Sequence, residues 1–145
     1  MTVQRMDHVG VVVDDLDAAI AFFAELGLER AGAGSVDGEW VDRIVGLDGV
    51  RTDFAFMQTP DGHGRLELIK FRAPAGEGGD GPMPANATGI RHLTFAVDDI
   101  DAAVASARRH GGELVGEVVD YEGIYRLCYM RGPAGIIVEL AQSLG

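Results

Sequence analysis

Apolar and small or polar residues alternate over 7–13 (DHVGVVV). Val9, Val11 and Val13 fall on one face and His8, Gly10 and Val12 on the other. That period of two predicts a strand, and the period then changes. Leu16, Ile20 and Phe23 recur at helical spacing, with Ala19 on the same side. Asp14 or Asp15 stands where a short carboxylate accepts from the free N–H groups of a first helical turn, and Gly27 stands where the helix stops. Alternating sequence resumes at 51–58 (RTDFAFMQ) and 65–71 (RLELIKF), joined through the turn Pro60-Asp61-Gly62. A further short strand is expected near 29–35, and 39–46 (EWVDRIVG) reads as a short helix or an irregular loop. The β-α-β-β-β order then recurs. Residues 91–97 predict a strand, Asp98 or Asp99 a cap, and Ile100, Val104 and Ala107 the buried stripe of a helix that Gly111-Gly112 stop. A short strand near 113–119 follows, then a hairpin of 124–131 and 136–141 through the turn Gly132–Gly135.

The recurrence is also literal. Residues 6–21 (MDHVGVVVDDLDAAIA) match 90–105 (IRHLTFAVDDIDAAVA) at a fixed offset of 84, from position 8 to position 92. The ends of the halves match too, TPDGHGRLEL (59–68) with GPAGIIVEL (132–140), which sets Glu67 against Glu139. The expectation is an α+β fold of two tandem βαβββ modules, 1–72 and 90–145. The Gly-, Pro- and Ala-rich stretch 73–89 reads as the linker.

Each half therefore carries one His near its start and one Glu near its end, both on the face turned away from the helix. Leu66 and Leu68 flank Glu67, and Val138 and Leu140 flank Glu139. A carboxylate among apolar strand residues needs a partner if its face is enclosed. Taken singly, a strand His is more often structural, and a Glu beside Arg65 or Lys70 more often makes a surface ion pair. Taken together, matched residue types in a repeat favour a metal site of His8, Glu67, His92 and Glu139. Two imidazoles and two carboxylates suit a divalent ion such as Zn, Ni, Co, Mn or Fe, and are too nitrogen-rich for a typical Ca or Mg site. Gly10, Val12, Ile69, Thr94, Ala96 and Ile137 would wall a cavity that admits a compact organic group. His63, in a Gly-rich turn, and His110, at a helix end, have no counterpart in the repeat. Cys128 reads as a small strand residue.

Composition narrows the class further. The chain has 145 residues, 47% of them hydrophobic, which suits one globular domain. No apolar run approaches the ~20 residues of a membrane span. The net charge of −11, from 23 acidic and 12 basic residues, argues against a nucleic-acid partner. A single cysteine allows no disulfide framework within the chain, and MTVQRMDHVG does not read as a secretion signal, so a cytoplasmic location is expected.

The segments DHVGVVVDDLDAAIAFF, RLELIKF, GIRHLTFAVDDIDAA and GPAGIIVEL resemble the vicinal oxygen chelate superfamily, the glyoxalase/bleomycin-resistance/dioxygenase fold. The resemblance covers nearly the whole chain. It implies curved mixed sheets around a metal cavity, a small-molecule substrate and a homodimer. It carries the metal ligands over onto His8, Glu67, His92 and Glu139. Extradiol dioxygenases and fosfomycin-resistance enzymes use three protein ligands, so the fourth favours the glyoxalase I and acyl-CoA epimerase side. The implied activity is a divalent-metal-dependent glyoxalase I-like lyase or isomerase. It would remove a proton next to a metal-polarised carbonyl of a small α-hydroxy-carbonyl or acyl-thioester substrate, with Glu139 and Glu67 as the catalytic carboxylates. An Fe(II) extradiol-type dioxygenase and a non-catalytic drug- or metabolite-binding resistance protein are the alternatives. Two departures matter. Lys70-Phe71-Arg72 replaces the Asn-Trp-Gly type segment of glyoxalase I, so glutathione recognition is not implied. The additional catalytic Glu of methylmalonyl-CoA epimerases would fall near Glu39 or Asp42.

Overall fold

A computed structural model describes residues 2–76 and 81–145. The chain divides into two compact units, Met1–Glu77 and Gly78–Gly145. The division falls in the stretch 73–89 expected as a linker, of which residues 77–80 lie outside the described residues.

The first unit runs β1 (Val9–Val12), α1 (Leu16–Leu26), β2 (Glu29–Asp37), α2 (Glu39–Val45), β3 (Arg51–Gln58) and β4 (Arg65–Ala73). Its sheet has the order β1-β4-β3-β2, with β1 parallel to β4 and the other pairs antiparallel. Asp15 caps α1 by accepting from the Ala18 N–H, and Gly27 ends it at φ 111°, a conformation that costs a residue without Cβ least. The buried face of α1 is Ala19, Phe22 and Phe23, whereas Leu16 and Ile20 are only half-buried. The expected stripe is therefore rotated. LDAAIAFFAEL is apolar nearly all round, so its period leaves the face open and packing onto β3 and β4 chooses it. Val11, Val13, Met57, Leu66 and Leu68 form the sheet side of this core. Full burial of a side chain such as Leu68 contributes about 1.5–3 kcal/mol.

The second unit runs β5 (His92–Ala96), α3 (Ile100–Arg109), β6 (Glu113–Leu114), β7 (Val119–Tyr121), β8 (Tyr125–Arg131) and β9 (Ile137–Ser143). Its sheet has the order β5-β9-β8-β6, with β7 also paired to β8, so the expected strand near 113–119 is two short ones. Again the outer pair, β5 and β9, is parallel. Asp99 caps α3 through the Ala102 N–H, and Ile100, Val104 and Ala107 are its buried residues, as the periodicity predicts. A 3₁₀ turn, Pro133–Gly135, joins β8 to β9. Gly135 is required there twice over. Its φ is 74°, and a Cβ would lie 3.1 Å from the Pro82 backbone. Among the described residues no helix is long and apolar enough to cross a membrane.

Two candidate metal half-sites

The same local construction places a His beside a Glu in each unit. In the first, the parallel β1–β4 register sets Gly10 opposite Glu67, and His8, two residues earlier, shares the face of Gly10. His8 Nε2 lies 3.8 Å from Glu67 Oε1. In the second, the β5–β9 register sets Thr94 opposite Glu139, and His92 occupies the place of His8. His92 Nε2 lies 3.7 Å from Glu139 Oε1. Two ligands of one tetrahedral ion, with bonds of about 2.0–2.2 Å, stand roughly 3.4 Å apart. Both pairs are within a few tenths of an ångström of that edge, so each suits two positions of a coordination sphere. Within either unit, among the described residues, no set of three or more His, Cys, Asp or Glu is placed to hold an ion by itself. Each pair by itself offers two donors.

Aromatic residues on the third strand support both histidines. Phe56 pairs across from Glu67 and meets the His8 ring edge-on, with centroids 5.3 Å apart. Tyr129 pairs across from Glu139 and meets the His92 ring at 5.1 Å and a 36° tilt. These contacts were not foreseen from the sequence; their signal is that both aromatics sit on the Glu-facing side of the adjacent strand.

The halves then diverge. Asp7 Oδ2 lies 2.7 Å from His8 Nδ1. With the proton on Nδ1, the imidazole donates to Asp7 and presents a bare Nε2 toward Glu67, the tautomer a metal ligand needs. Hydrogen bonds from His8 and then from Arg5 hold the Asp7 carboxyl below the usual carboxylate range. Position 91, the counterpart of Asp7, is an arginine. Conversely, Thr94 Oγ1 donates to Glu139 Oε1 at 2.7 Å, while its counterpart Gly10 has no side chain to offer Glu67. Glu139 is thus anchored and Glu67 lacks the matching bond.

The expected wall residues divide between the units. Gly10, Val12 and Ile69 lie on the Glu67 face of the first sheet, where Val12 is opposite Ile69 and 54% exposed. Thr94 and Ala96 lie on the Glu139 face of the second sheet. Ile137 shares that face by alternation but is only 1% exposed, so it presents no free surface as a wall. Both Asp42 oxygens accept backbone N–H groups, from Gly49 at 3.0 Å and Val50 at 2.7 Å, which ties α2 to the start of β3. Glu39 is exposed in the first turn of α2. His63 lies in the exposed turn that Asp61 organises, and His110 is the C-cap of α3. Cys128 is buried, and burial pushes its thiol up, which disfavours the thiolate a nucleophile would need.

Comparison with known proteins agrees with this architecture. The model of the glyoxalase/bleomycin resistance protein/dioxygenase superfamily matches residues 7–142. The crystal structure of a glyoxalase family protein from Bacillus cereus is similar, at 48% identity and a TM-score of 0.95, covering 100% of this chain and 97% of that one. Bacillus subtilis (strain 168) YwbC is 30% identical over 96% of this chain and 98% of its own. The 2-epi-5-epi-valiolone epimerase of an Actinomyces species is 34% identical over 92% of this chain and 76% of its own.

Proposed function

The chain belongs to the glyoxalase/bleomycin resistance protein/dioxygenase superfamily, and on that premise we propose that it is a divalent-metal-dependent lyase or isomerase of the glyoxalase I-like kind. In this reading His8 and Glu67 together with His92 and Glu139 complete one cation site. The observation that carries it is the repeated His–Glu pair, at 3.8 Å and 3.7 Å, in two units that reach it by the same strand register. Bound there, a divalent cation would polarise the carbonyl oxygen of a small α-hydroxy-carbonyl or acyl-thioester substrate.

The residues divide the remaining work. Asp7 holds the His8 ring in its ligand tautomer. Glu139 keeps its place through Thr94. Glu67, without that hydrogen bond, is free to swing to the carbon next to the carbonyl and take its proton, and Glu139 of the second unit returns one. One carboxylate to take the proton and another to return it are what inversion at a carbon centre requires, and the epimerase relative from Actinomyces is consistent with that outcome.

The test joins metal analysis to proton exchange. Protein purified without added metal is expected to hold close to one divalent ion per site, and Glu67→Ala and Glu139→Ala to lose most of it. A screen of hydroxy-carbonyl and acyl-thioester compounds in deuterated water is expected to reveal exchange at the carbon next to the carbonyl. Sub-stoichiometric metal that is unchanged in both variants overturns the proposal. Oxygen uptake with a catechol, insensitive to Glu67→Ala, would replace it with the dioxygenase reading.

A further inference from the structure

Four arginines of this acidic chain, Arg5, Arg65, Arg72 and Arg126, stand within ion-pairing distance of a carboxylate. Arg126 grips Asp101 with both terminal nitrogens, at 3.0 and 3.1 Å, Arg72 reaches Asp53 at 3.2 Å, and Arg5 reaches Asp7 at 3.0 Å. Arg91 and Arg131 are set apart by lining a common cavity without such a partner. Among the described residues neither has a carboxylate within ion-pairing distance, although the chain carries 23 acidic side chains against 12 basic ones. Both line one cavity of about 210 Å³ in the second unit. Arg91 Nε is buried with no hydrogen-bond partner among the described residues, so contact with an occupant would come through the terminal nitrogens of this guanidinium. Arg131 donates through Nη1 to the Gly135 carbonyl at 3.0 Å, which fixes its guanidinium while leaving its other nitrogens free. Met83, Ile90 and Ile136 supply the apolar lining, and Gly135 lets the chain at Pro82 close onto the turn.

We propose that this cavity is an anion subsite that takes the carboxylate or phosphoryl group of a small organic acid. Two guanidinium groups without carboxylate partners among the described residues are suited to a planar or tetrahedral oxyanion, because each presents several N–H donors in a fixed fork. The volume admits a group of a few heavy atoms. The location assigns the rest of the ligand. The cavity lies where β5 and β9 begin and β8 ends, and Arg91 is the chain neighbour of His92. Arg131 pairs with Ile137, which pairs with His92, so two strand spacings, about 10 Å, separate the Arg131 and His92 backbones. An acid anchored here would reach the His92–Glu139 pair with its other end. In that respect the inference rests on the proposed function and names its substrate class: a carbonyl compound that also carries an anionic group.

The test is calorimetric titration of the full chain, in chloride-free buffer after dialysis against a chelator, with inorganic phosphate in one arm and acetate in the other. Binding of at least one probe is expected, and the tighter one names the group. Arg91→Gln and Arg131→Gln are each expected to weaken it at least tenfold, while His92→Asn and Glu139→Gln leave it within threefold. Thermal melts of each variant show that the fold is retained, and Arg91→Gln carries the test if Arg131→Gln disturbs the turn. No binding of either probe, equal affinity in wild type and Arg91→Gln, or binding lost with His92 and kept without Arg91, overturns the assignment. A protein that binds no metal yet passes this titration keeps the anion subsite and loses the enzymatic reading, so the two failures are distinguishable.

Discussion

Thr94→Val isolates the hydrogen bond that anchors Glu139 and that Glu67 lacks. Threonine and valine are both β-branched, so the preference of β5 for extended backbone is kept and only the hydroxyl is lost. In the native chain that hydroxyl donates to Glu139 Oε1 at 2.7 Å, across a strand pair whose register puts the two residues side by side. A hydrogen bond to an ionised group is worth about 1.5–3 kcal/mol. The Glu139 side chain is 20% exposed and Thr94 is exposed, so water competes and the lower end applies, about 1.5 kcal/mol. In a chain of this length that corresponds to a fall of roughly 3–6 °C in Tm. The assay is a double-mutant cycle of Thr94→Val and Glu139→Ala followed by thermal or urea unfolding of metal-free protein. With Ala at position 139, Thr94→Val is expected to cost less than about 0.5 kcal/mol, because the hydroxyl has no carboxylate left to serve. An equal cost in both backgrounds would refute the claim that Thr94 acts through Glu139, and with it the view that Glu139 is anchored and Glu67 mobile.

Asp7→Asn is expected to weaken Co(II) binding about tenfold, read from the visible absorption of the titrated protein. A change under twofold would mean that Asp7 does not set the His8 tautomer. Leu68→Ala, at a fully buried position beside Glu67, is expected to destabilise the fold by about 3–5 kcal/mol in urea unfolding; a loss under about 1 kcal/mol would contradict the packing of α1 on β4. Asp101→Asn tests the surface pair with Arg126, which lowers the Asp101 carboxyl from its ordinary 3.8. A lowered carboxylate contributes stability above its unfolded value and loses it as pH falls through the folded one, so the variant should melt below wild type near about pH 7 and level with it near about pH 2. A gap that persists in acid would show that the effect is not ionic.

The elements that could be read from the chain are those whose signals are local. Arg51–Gln58 is a strand with the bounds its alternation predicts, and Asp15, Asp99 and Gly27 cap helices where their chemistry suits a helix end. Elements chosen by a distant partner were not legible. The buried face of α1 depends on the sheet beneath it, because the helix is apolar on most sides. β7, the three-residue segment Val119–Tyr121, is exposed at every position and too short for its alternation to mark a strand, and pairing with β8 makes it one. Asp42 binds the N–H groups of Gly49 and Val50, which it meets only after α2 and the following turn have formed.

The candidate site divides in the same way. Which face His8, Glu67, His92 and Glu139 occupy follows from the sequence by itself, since side chains alternate along a strand and the valines and leucines beside them are committed to the helix-packed face. Their repetition says that the same local construction is used twice. Distances required the tertiary structure. His8 and Glu67 come within 3.8 Å because β1 and β4, far apart in the chain, pair in one register, and a slip of one residue would turn Glu67 to the other face. Tertiary structure also gave the Gly10-to-Thr94 difference its consequence, by setting Thr94 beside Glu139 where Gly10 stands beside Glu67. It made the Arg91–Arg131 cavity as well, by closing the Pro82 segment over a turn that only a glycine at position 135 permits. Alternation is a property of one strand, whereas register and closure belong to pairs of segments that must meet.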